Sequence, residues 1–489
     1  MATIRAMRGA TALATRLLGP GPEPHEVLRR LAGRRGAFLL ESALPGGRGA
    51  RWSYLGAEPC LELVAKGRRT WSVRGGQSRP LARDAFRELG RLLARLGLES
   101  CGPAEPGRPE FRGGLVGYFG YELGRLIERL PGRAPDDLGL PDMHLGLYEA
   151  ALAFDHALGV WHASAAEPLA RSAAERRRRL AAKLSAAAAL LAGPRAPEPD
   201  PGEEQDLPAA GTLRSNFSAR DYRAAVARVI EYIRAGDIFQ ANLSQRFTAD
   251  WPRGALELYL RLRRVNPAPL AAYYDFGPGQ VVSASPELFL RVSGRRVETR
   301  PIKGTRPRGA DPQADRRLAA ELRASPKDRA ELTMIVDLER NDLGRVCSYG
   351  SVRVEEHLGL ESFATVHHLV ATVAGRLHEG RTAVDLLRAA FPGGSVTGAP
   401  KIRAMQIIDE LERSARGVYT GALGFLGLDG AVELNLPIRT FTVSAGRAHF
   451  GVGGGVVADS SPAGEYQETL DKARGLVAAL ERQPAEVCS

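Results

Sequence analysis

The most informative stretch of the sequence is Gly393-Gly394-Ser395-Val396-Thr397-Gly398-Ala399-Pro400-Lys401. It partly resembles a phosphate-binding loop, so it tests whether the chain has a nucleotide-binding fold. The separation of Gly393 and Gly398 matches that loop, in which a lysine directly follows the second glycine and precedes serine or threonine. Here two residues intervene and isoleucine follows the lysine, so the stretch disfavours ATP binding. It predicts a glycine turn that leads into a helix near Pro400, where free backbone N–H groups suit an anion such as a carboxylate.

A second glycine run, Gly453-Gly454-Gly455, lies between two predicted strands at residues 448–451 and 456–458. Glycines allow another group to approach the backbone closely, but no helix follows this run as it does in a dinucleotide-binding domain. The run therefore argues against a dinucleotide site.

The composition is that of an enzyme-sized globular protein. With 489 residues, 44% of them hydrophobic and 25% charged, the chain can form two domains or one large composite α/β body. The cysteines, which are Cys60, Cys101, Cys347 and Cys488, lack the spacing of a zinc site or a disulfide framework. No stretch approaches the roughly 18 apolar residues of a membrane span. We expect a cytoplasmic protein with no membrane partner.

The net charge of +11 is scattered along the chain. Its densest run, at residues 176–179, lies in an alanine-rich segment at residues 172–191 and predicts the solvated face of a surface helix. No RNA-recognition or zinc-finger signature accompanies it, so we expect no nucleic-acid partner.

A proline- and glutamate-rich stretch divides the chain. We predict an N-terminal domain at residues 1–193, an exposed linker at 194–214 and a catalytic domain at 215–489. Short apolar runs in the first segment alternate with Gly and Pro turns, which predicts a sheet-rich α+β half.

The segment after the linker begins with a helix signal. Ser218 and Asp221 have the spacing of a capping-box variant, and the helix should end at Ala235-Gly236, since glycine accommodates the left-handed cap. Polar side chains then alternate with apolar ones from Gln240 onwards, which predicts a strand with one polar face.

Two further helices are predicted to carry carboxylates beside apolar stripes. Ser325-Pro326 and Ser461-Pro462 are helix starts, because serine caps a helix and proline is preset for its first turn. A carboxylate among apolar neighbours is costly unless it is paired or binds a cation. The acids concerned are Asp328, Glu331, Glu465 and Glu468.

Two interpretations of these acids stay open on spacing alone. Glu468 and Lys472 have the spacing of an ordinary helical ion pair, and Glu331 can pair with an arginine. Alternatively, the two helices face each other around Mg²⁺, which binds one or two carboxylates together with water and an anionic substrate.

Taken together, the motifs resemble those of the chorismate-binding family, which includes anthranilate, aminodeoxychorismate, isochorismate and salicylate synthases. The resemblance implies an α+β (mixed α/β) fold, in which a large composite β-sandwich has its helices packed outside. The motifs that carry it are Gly236-Asp237-Ile238-Phe239-Gln240, Ser285-Pro286-Glu287, Pro301-Ile302-Lys303-Gly304-Thr305, Asp337-Leu338-Glu339-Arg340-Asn341-Asp342, residues 391–401, Pro437-Ile438-Arg439-Thr440 and residues 453–460.

The resemblance also implies roles for individual residues. Glu331 and Glu468 match the direct Mg²⁺ ligands, and Asp328 and Glu465 match residues that hold metal-bound water. Glu287 matches the general acid that protonates the ring hydroxyl as it leaves. The implied substrate-binding residues are Arg439, Tyr419, Gly453, Gly455, Thr397, Lys401, His368 and Gln240. For His368, an ordinary structural histidine is an equal alternative.

Two residues indicate which reaction within the family is expected. Members that add water carry a lysine base where this chain has Gln240, which favours ammonia as the nucleophile. Anthranilate synthases typically carry alanine where this chain has Lys303, and the lysine resembles that of aminodeoxychorismate synthases, where it is thought to attack the ring covalently. We therefore expect amination of chorismate to 4-amino-4-deoxychorismate, with anthranilate formation as the alternative. An inactive regulatory or nucleic-acid-binding relative is the non-enzymatic alternative.

The expected ammonia source is a separate glutamine amidotransferase subunit. The chain has no Gly-x-Cys-x-Gly motif of a glutaminase, and Cys101 lacks the first glycine. A further resemblance, to the tryptophan-binding element of related N-terminal domains, involves Glu41, Ser42, Trp52 and Ser53.

Overall fold

The computed structural model describes residues 3–5, 12–43, 51–97, 107–167, 172–192, 212–363 and 366–481. Most of the predicted linker lies outside the described residues, as do Cys101 and Cys488. Within those residues, no helix has both the length and the apolar character needed to cross a lipid bilayer.

The helices of the described residues are α1 (Pro24–Leu31), α2 (Ala85–Arg95), α3 (Ala173–Ala189), α4 (Ala219–Arg234), α5 (Ala255–Val265), α6 (Pro312–Ala324), α7 (Pro326–Gly344), α8 (Ala383–Ala390), α9 (Lys401–Leu411) and α10 (Pro462–Leu480). Short 3₁₀ turns occupy Tyr121–Leu126 and Gly394–Val396.

The strands of the first segment are β1 (Thr3–Arg5), β2 (Ala12–Gly19), β3 (Phe38–Glu41), β4 (Trp52–Gly56), β5 (Leu61–Lys66), β6 (Arg69–Arg74), β7 (Gln77–Leu81), β8 (Gly114–Phe119), β9 (Met143–Tyr148), β10 (Ala150–Asp155) and β11 (Val160–Glu167). Those of the second segment are β12 (Arg214–Ser215), β13 (Gln240–Asp250), β14 (Leu270–Asp275), β15 (Gln280–Ser285), β16 (Leu288–Ser293), β17 (Arg296–Arg300), β18 (Ile302–Pro307), β19 (Arg353–Ser362), β20 (Val366–Arg376), β21 (Gly398–Ala399), β22 (Ala422–Gly427), β23 (Val432–Asn435), β24 (Thr440–Ser444) and β25 (Arg447–Val456).

These strands form two large antiparallel sheets. The first has the order β1-β2-β11-β10-β4-β3-β14-β15-β24-β25-β13-β12, with β21 added on β13. The second has the order β18-β20-β17-β16-β23-β22-β8-β9-β5-β6-β7, with β19 added on β20. Both sheets contain strands from either side of the predicted linker, through the pairs β3–β14 and β8–β22. The chain therefore builds the composite α/β sandwich that was expected, and the domain boundary itself stays a prediction.

The core lies in three layers. Aromatic residues of both sheets meet between them, where Tyr54 and Phe425 pack edge to face at 5.5 Å between ring centroids. Helices α1, α3, α5 and α10 cover the outer face of the first sheet, and α2, α7 and α8 cover that of the second. Helices thus pack outside the sandwich, because each sheet has to bury its second apolar face.

The predicted helix starts are confirmed. Ser218 caps α4 by accepting a hydrogen bond from Asp221 N at 3.1 Å, and Gly236 has the left-handed backbone expected after the helix. Ser325 and Ser461 cap α7 and α10 in the same manner. Helix α9 follows Pro400 directly, as the glycine turn predicted.

The prediction of two strands around Gly453-Gly454-Gly455 is wrong, because all three glycines lie inside the continuous strand β25. The strand continues because its backbone pairs with β13 along its whole length. Side chains press on both faces of the run: a Cβ on Gly454 would lie 2.8 Å from Glu465 Oε2, and one on Gly455 would overlap the Gln240 amide. A side chain at either position would displace the Glu465 carboxylate or the Gln240 amide.

Candidate active site

The predicted site residues converge where α7 and α10 approach β18 and β25. Residues before β16, on β18 and in the 3₁₀ turn Gly394–Val396 complete this region. The candidate site is therefore formed by residues of both sheets and of the glycine-rich loop.

Glu287 lies between β15 and β16 and is 4% exposed. Its Oε1 accepts a hydrogen bond from Ser395 Oγ at 2.6 Å. Burial raises the pKa of Glu287 to about 7, and the bond from Ser395 and the charge of Lys303 partly oppose this rise. A carboxyl group that keeps its proton near neutral pH has the property that a general acid needs.

Lys303 reaches the same loop from β18. Its Nζ donates a hydrogen bond to the carbonyl oxygen of Ser395 at 3.1 Å. Ser395 therefore contacts both Glu287 and Lys303, although no sequence pattern predicted a role for it. Its position in the glycine-rich loop, beside Thr397, was the one signal available.

His368 is buried on β20 beside β18. Its Nδ1 bonds with the Thr305 hydroxyl at 2.9 Å, whereas its Nε2 is buried without a hydrogen-bond partner among the described residues. Burial, together with the charge of Arg439, lowers the pKa of His368 to about 3, so the ring is neutral. Nδ1 of His368 thus has a structural hydrogen bond, whereas Nε2 is available to a ligand.

Arg439 follows the last residues of β23 and has a left-handed backbone, with φ of 51°. Such a conformation costs energy for a residue with a side chain and occurs often at functional sites. The guanidinium makes a long 3.5 Å hydrogen bond to Asn266 Oδ1. Burial lowers the pKa of Arg439, and the nearby carboxylate of Glu287 opposes this shift. The planar guanidinium group of Arg439 is therefore close to Glu287, and its N–H groups are available to a ligand.

Tyr419 and Gly453 lie on one edge of the site. The tyrosine ring packs on Gly451, and its hydroxyl is hydrogen-bonded to Ser244. Lys472 Nζ donates to the carbonyl oxygen of Gly453 at 2.9 Å. This contact joins α10 to the glycine run.

Gln240 begins β13 and is 1% exposed. Its amide lies against Gly455, and its Oε1 has no hydrogen-bond partner within the described part of the chain. A buried acceptor without a partner is costly, so it points to a missing donor such as a ligand or water.

The carboxylates of α7 and α10 meet at the glycine run. An added Cβ on Gly454 would lie 3.2 Å from Glu468 Oε1, and one on Gly455 would lie 3.5 Å from Glu331 Oε2. Lys472 pairs with Glu468 at 2.7 Å, which is the helical ion pair that the spacing allowed as one of two interpretations.

The remaining acids have different neighbours. Asp328 lies beside Gly304 and accepts a hydrogen bond from Arg306 Nη2 at 3.3 Å. Glu465 accepts from the Ser460 hydroxyl through one carboxylate oxygen, whereas its Oε2 is buried and has no partner among the residues described.

The electrostatics of this cluster fit a divalent cation. Burial raises the pKa of Glu331 and of Glu465, and the charge of Glu468 adds to both rises. Over the described residues, no three His, Cys, Asp or Glu side chains form a complete metal cluster. Mg²⁺ often takes one or two protein carboxylates and completes its shell with water and substrate, so Glu331 and Glu468 remain suitable ligands.

Thr397 and Lys401 are engaged within the protein. The Thr397 hydroxyl donates to the carbonyl oxygens of Gly393 and Gly394, at 3.0 and 3.2 Å. Lys401 Nζ pairs with Asp342 and also donates to the Ala390 carbonyl oxygen at 2.9 Å. Both side chains fix the glycine-rich loop, and their contact with substrate stays a prediction.

Three of the four residues that resemble a tryptophan element line one cavity. Glu41, Ser42 and Trp52 surround it together with Asn435. The Glu41 carboxylate already accepts hydrogen bonds from Tyr259 at 2.6 Å and from Arg263 at 2.9 Å.

The fourth residue of that element, Ser53, instead bonds with His156 Nε2 at 2.7 Å. Ser42 Oγ is buried without a hydrogen-bond partner in the described residues. Tryptophan binding stays a prediction.

The model of a known family, described as chorismate binding enzyme, matches residues 39–478. The chain belongs to this family. The match runs from β3 to α10 and covers every predicted site residue.

Relatives of this chorismate binding enzyme carry two different names. An anthranilate synthase component 1 from Thermus thermophilus is 44% identical, over 92% of this chain and 93% of the relative. An aminodeoxychorismate synthase component 1 from Klebsiella aerogenes is 41% identical, over 91% of this chain and 94% of the relative. These identities are too similar to separate the two activities.

A solved structure of anthranilate synthase component I from Streptococcus pneumoniae superposes with a TM-score of 0.75 at 34% identity, covering 88% of this chain and 92% of that one. The chain is therefore a chorismate-utilising enzyme, and relatives that match most of its length are named anthranilate synthase component 1 or aminodeoxychorismate synthase component 1.

Proposed function

We propose that the enzyme aminates chorismate at ring C4 and releases 4-amino-4-deoxychorismate. The observation that carries this proposal is the placement of Lys303, whose amine shares Ser395 with the Glu287 carboxyl group. An amine beside a protonated acid suits a reaction in which one group attacks the ring while the other protonates the leaving hydroxyl.

The proposed reaction has two steps. Lys303 Nζ attacks ring C2 while the C4–O bond breaks, and the proton of Glu287 converts the departing hydroxyl into water. Ammonia then attacks C4, the bond between Lys303 and C2 breaks, and the ammonium group formed at C4 returns a proton to Glu287, so that the neutral lysine amine and the acid are both restored. The raised pKa of Glu287 supports its part in the first step, since the group holds its proton near neutral pH.

Substrate binding is proposed to use the two carboxylates of chorismate. Arg439 offers a bidentate fork close to Glu287, and Tyr419 offers a hydroxyl beside Ser244. Mg²⁺, held by Glu331 and Glu468, would supply positive charge for the second carboxylate. Glu465 and Asp328 would hold water molecules bound to the ion.

Ammonia is proposed to come from a separate amidotransferase subunit. The name "component 1" of the relatives supports this, because it implies a second component. Gln240 supports ammonia as the nucleophile, since its Oε1, which has no partner among the described residues, can accept an N–H but cannot deprotonate water at neutral pH.

Anthranilate synthesis is the second candidate, favoured by the 44% identity to the Thermus thermophilus relative. The test is to incubate the protein with chorismate, Mg²⁺ and ammonium chloride and to identify the products by liquid chromatography with mass spectrometry. We expect 4-amino-4-deoxychorismate as the main product. Anthranilate together with pyruvate as the main products would reject the proposal in favour of the second candidate.

A further inference from the structure

Ser395 contacts both groups of the proposed reaction. Its hydroxyl donates to Glu287 Oε1 at 2.6 Å, and its carbonyl oxygen accepts from Lys303 Nζ at 3.1 Å. The residue is 5% exposed, so water competes little for either bond. One residue therefore bonds both the acid and the amine.

The loop around Ser395 is fixed on several sides. Arg416 Nη1 donates to the carbonyl oxygen of the next residue, Val396, at 2.8 Å. Gly394 packs so closely on α7 that an added Cβ would lie 2.8 Å from Leu338 Cδ2. The Thr397 hydroxyl closes the turn on Gly393 and Gly394. Because of these contacts, the backbone of Ser395 has little freedom to move if Glu287 or Lys303 shifts.

We propose that Ser395 is a positioning residue for the amination. Its hydroxyl orients the Glu287 carboxyl group, and its carbonyl oxygen orients the Lys303 amine, so that both groups face the same substrate. The inference rests on the proposed function, because it assumes that Glu287 is the acid. Neither bond is required by the fold of the loop, since Arg416 and Thr397 already hold the turn.

The hydroxyl of Ser395 also affects the pH at which Glu287 can act. A donor to the carboxylate favours the charged form, so it lowers the pKa that burial has raised. Removal of the donor should raise this pKa, and the acid should stay protonated to higher pH. The charged or titratable groups that face Glu287 from the elements around it are Lys303, Glu339, Arg439 and Lys472.

The experiment measures kcat for chorismate amination with ammonium chloride and Mg²⁺, from pH 5 to 9, in wild type and in Ser395→Ala. Rates are referred to the concentration of free ammonia, because its own ionisation changes with pH. We expect kcat to fall about tenfold at pH 6, since the acid and the amine are no longer aligned. The alkaline limb of the profile should also move upward by about one pH unit.

Two further variants keep the test interpretable. Ser395→Thr retains a hydroxyl and should keep the alkaline limb within a few tenths of a pH unit of wild type, even if its added methyl group lowers kcat. Ser283→Ala removes another buried hydroxyl, one that bonds with Thr440 at 2.8 Å, and should leave the limb in place. Thermal unfolding of each variant checks that the fold is intact.

An unchanged alkaline limb in Ser395→Ala, or an equal shift in Ser283→Ala, would overturn the inference. Failure of the proposed function looks different: the wild type would then make no 4-amino-4-deoxychorismate, or Glu287→Gln would retain full activity.

Discussion

Lys327 Nζ on α7 lies 3.6 Å from Glu465 Oε1 on α10 and so bridges the two helices that carry the acidic cluster. The same ammonium group lies 3.9 Å from Glu331 Oε1, one helical turn along α7. A single lysine therefore offsets part of the negative charge that gathers at the glycine run. It does not reach Glu465 Oε2, which is left without a partner in the described residues.

Glu331→Gln and Glu468→Gln should each remove most of the Mg²⁺ response. Loss of one carboxylate weakens the cluster that is proposed to hold the ion, so the Mg²⁺ concentration for half-maximal amination should rise at least tenfold. Titration of amination rate against Mg²⁺ measures this. Asp337→Asn, on the exposed face of the same helix, is the matched control. An unchanged Mg²⁺ titration in both Glu variants would show that these acids serve only as ion-pair partners.

Lys303→Ala should abolish amination at C4 while chorismate still binds. A nucleophile that forms a covalent intermediate has no substitute in the described site, so kcat should fall by roughly a hundredfold or more. Lys303→Arg tests charge separately, because it keeps a cation and removes the nucleophilic amine. Product formation is followed by mass spectrometry and chorismate binding by calorimetry. Substantial activity in the Arg variant would mean that Lys303 acts through its charge.

Arg439→Lys should raise KM for chorismate more than it lowers kcat. A lysine keeps the charge but loses the bidentate fork, and a hydrogen bond to a charged group is worth about 1.5–3 kcal/mol, or roughly a 10- to 100-fold change in KM. Steady-state kinetics at saturating ammonium separate the two constants. Arg447→Lys, at an exposed pair with Asp250, is the control and should change neither. A drop in kcat alone would place Arg439 in the chemical step instead of in binding.

Amination by the wild type should decline as pH rises above about 7, because Glu287 must hold its proton to act as the acid and burial places its pKa near that value. The group is fully protonated below this pKa and loses its proton above it, so the decline is on the alkaline side. Glu287→Gln should remove both the activity and this limb. A flat profile between pH 6 and 8.5, after correction for free ammonia, would exclude Glu287 as the acid.

Arg416→Met should destabilise the fold strongly. Arg416 and Glu412 form an ion pair at 2.6 Å in which both side chains are at most 5% exposed, and loss of one partner leaves a buried charge unpaired. We expect a loss of about 3–5 kcal/mol in the free energy of unfolding. Urea unfolding measures it, with Arg228→Gln at an exposed helical pair as the control, for which the loss should stay below about 1 kcal/mol. Equal effects of both substitutions would contradict this account of the buried pair.

Local structure in this protein was largely predictable from short patterns. Ser218, Ser325 and Ser461 each begin a helix because a serine side chain satisfies a free N–H in the first turn, an effect that depends on a few neighbouring residues. The helix after Pro400 was predictable for a similar reason. The prediction of two separate strands around Gly453-Gly454-Gly455 was wrong. The strand is continuous because it pairs with β13, and this pairing is not encoded in the run itself.

Short stretches of the chain were enough to predict the helix starts, the family motifs, the acids and Lys303, because each depends on residues close together in the chain. The tertiary structure was needed to establish that β3 pairs with β14, so that the two segments share their sheets. It also decided that Ser395 joins Glu287 and Lys303. The reason is physical: a hydrogen bond between groups about a hundred residues apart depends on how distant elements pack, and burial, which sets the pKa of Glu287, exists only once those elements have come together.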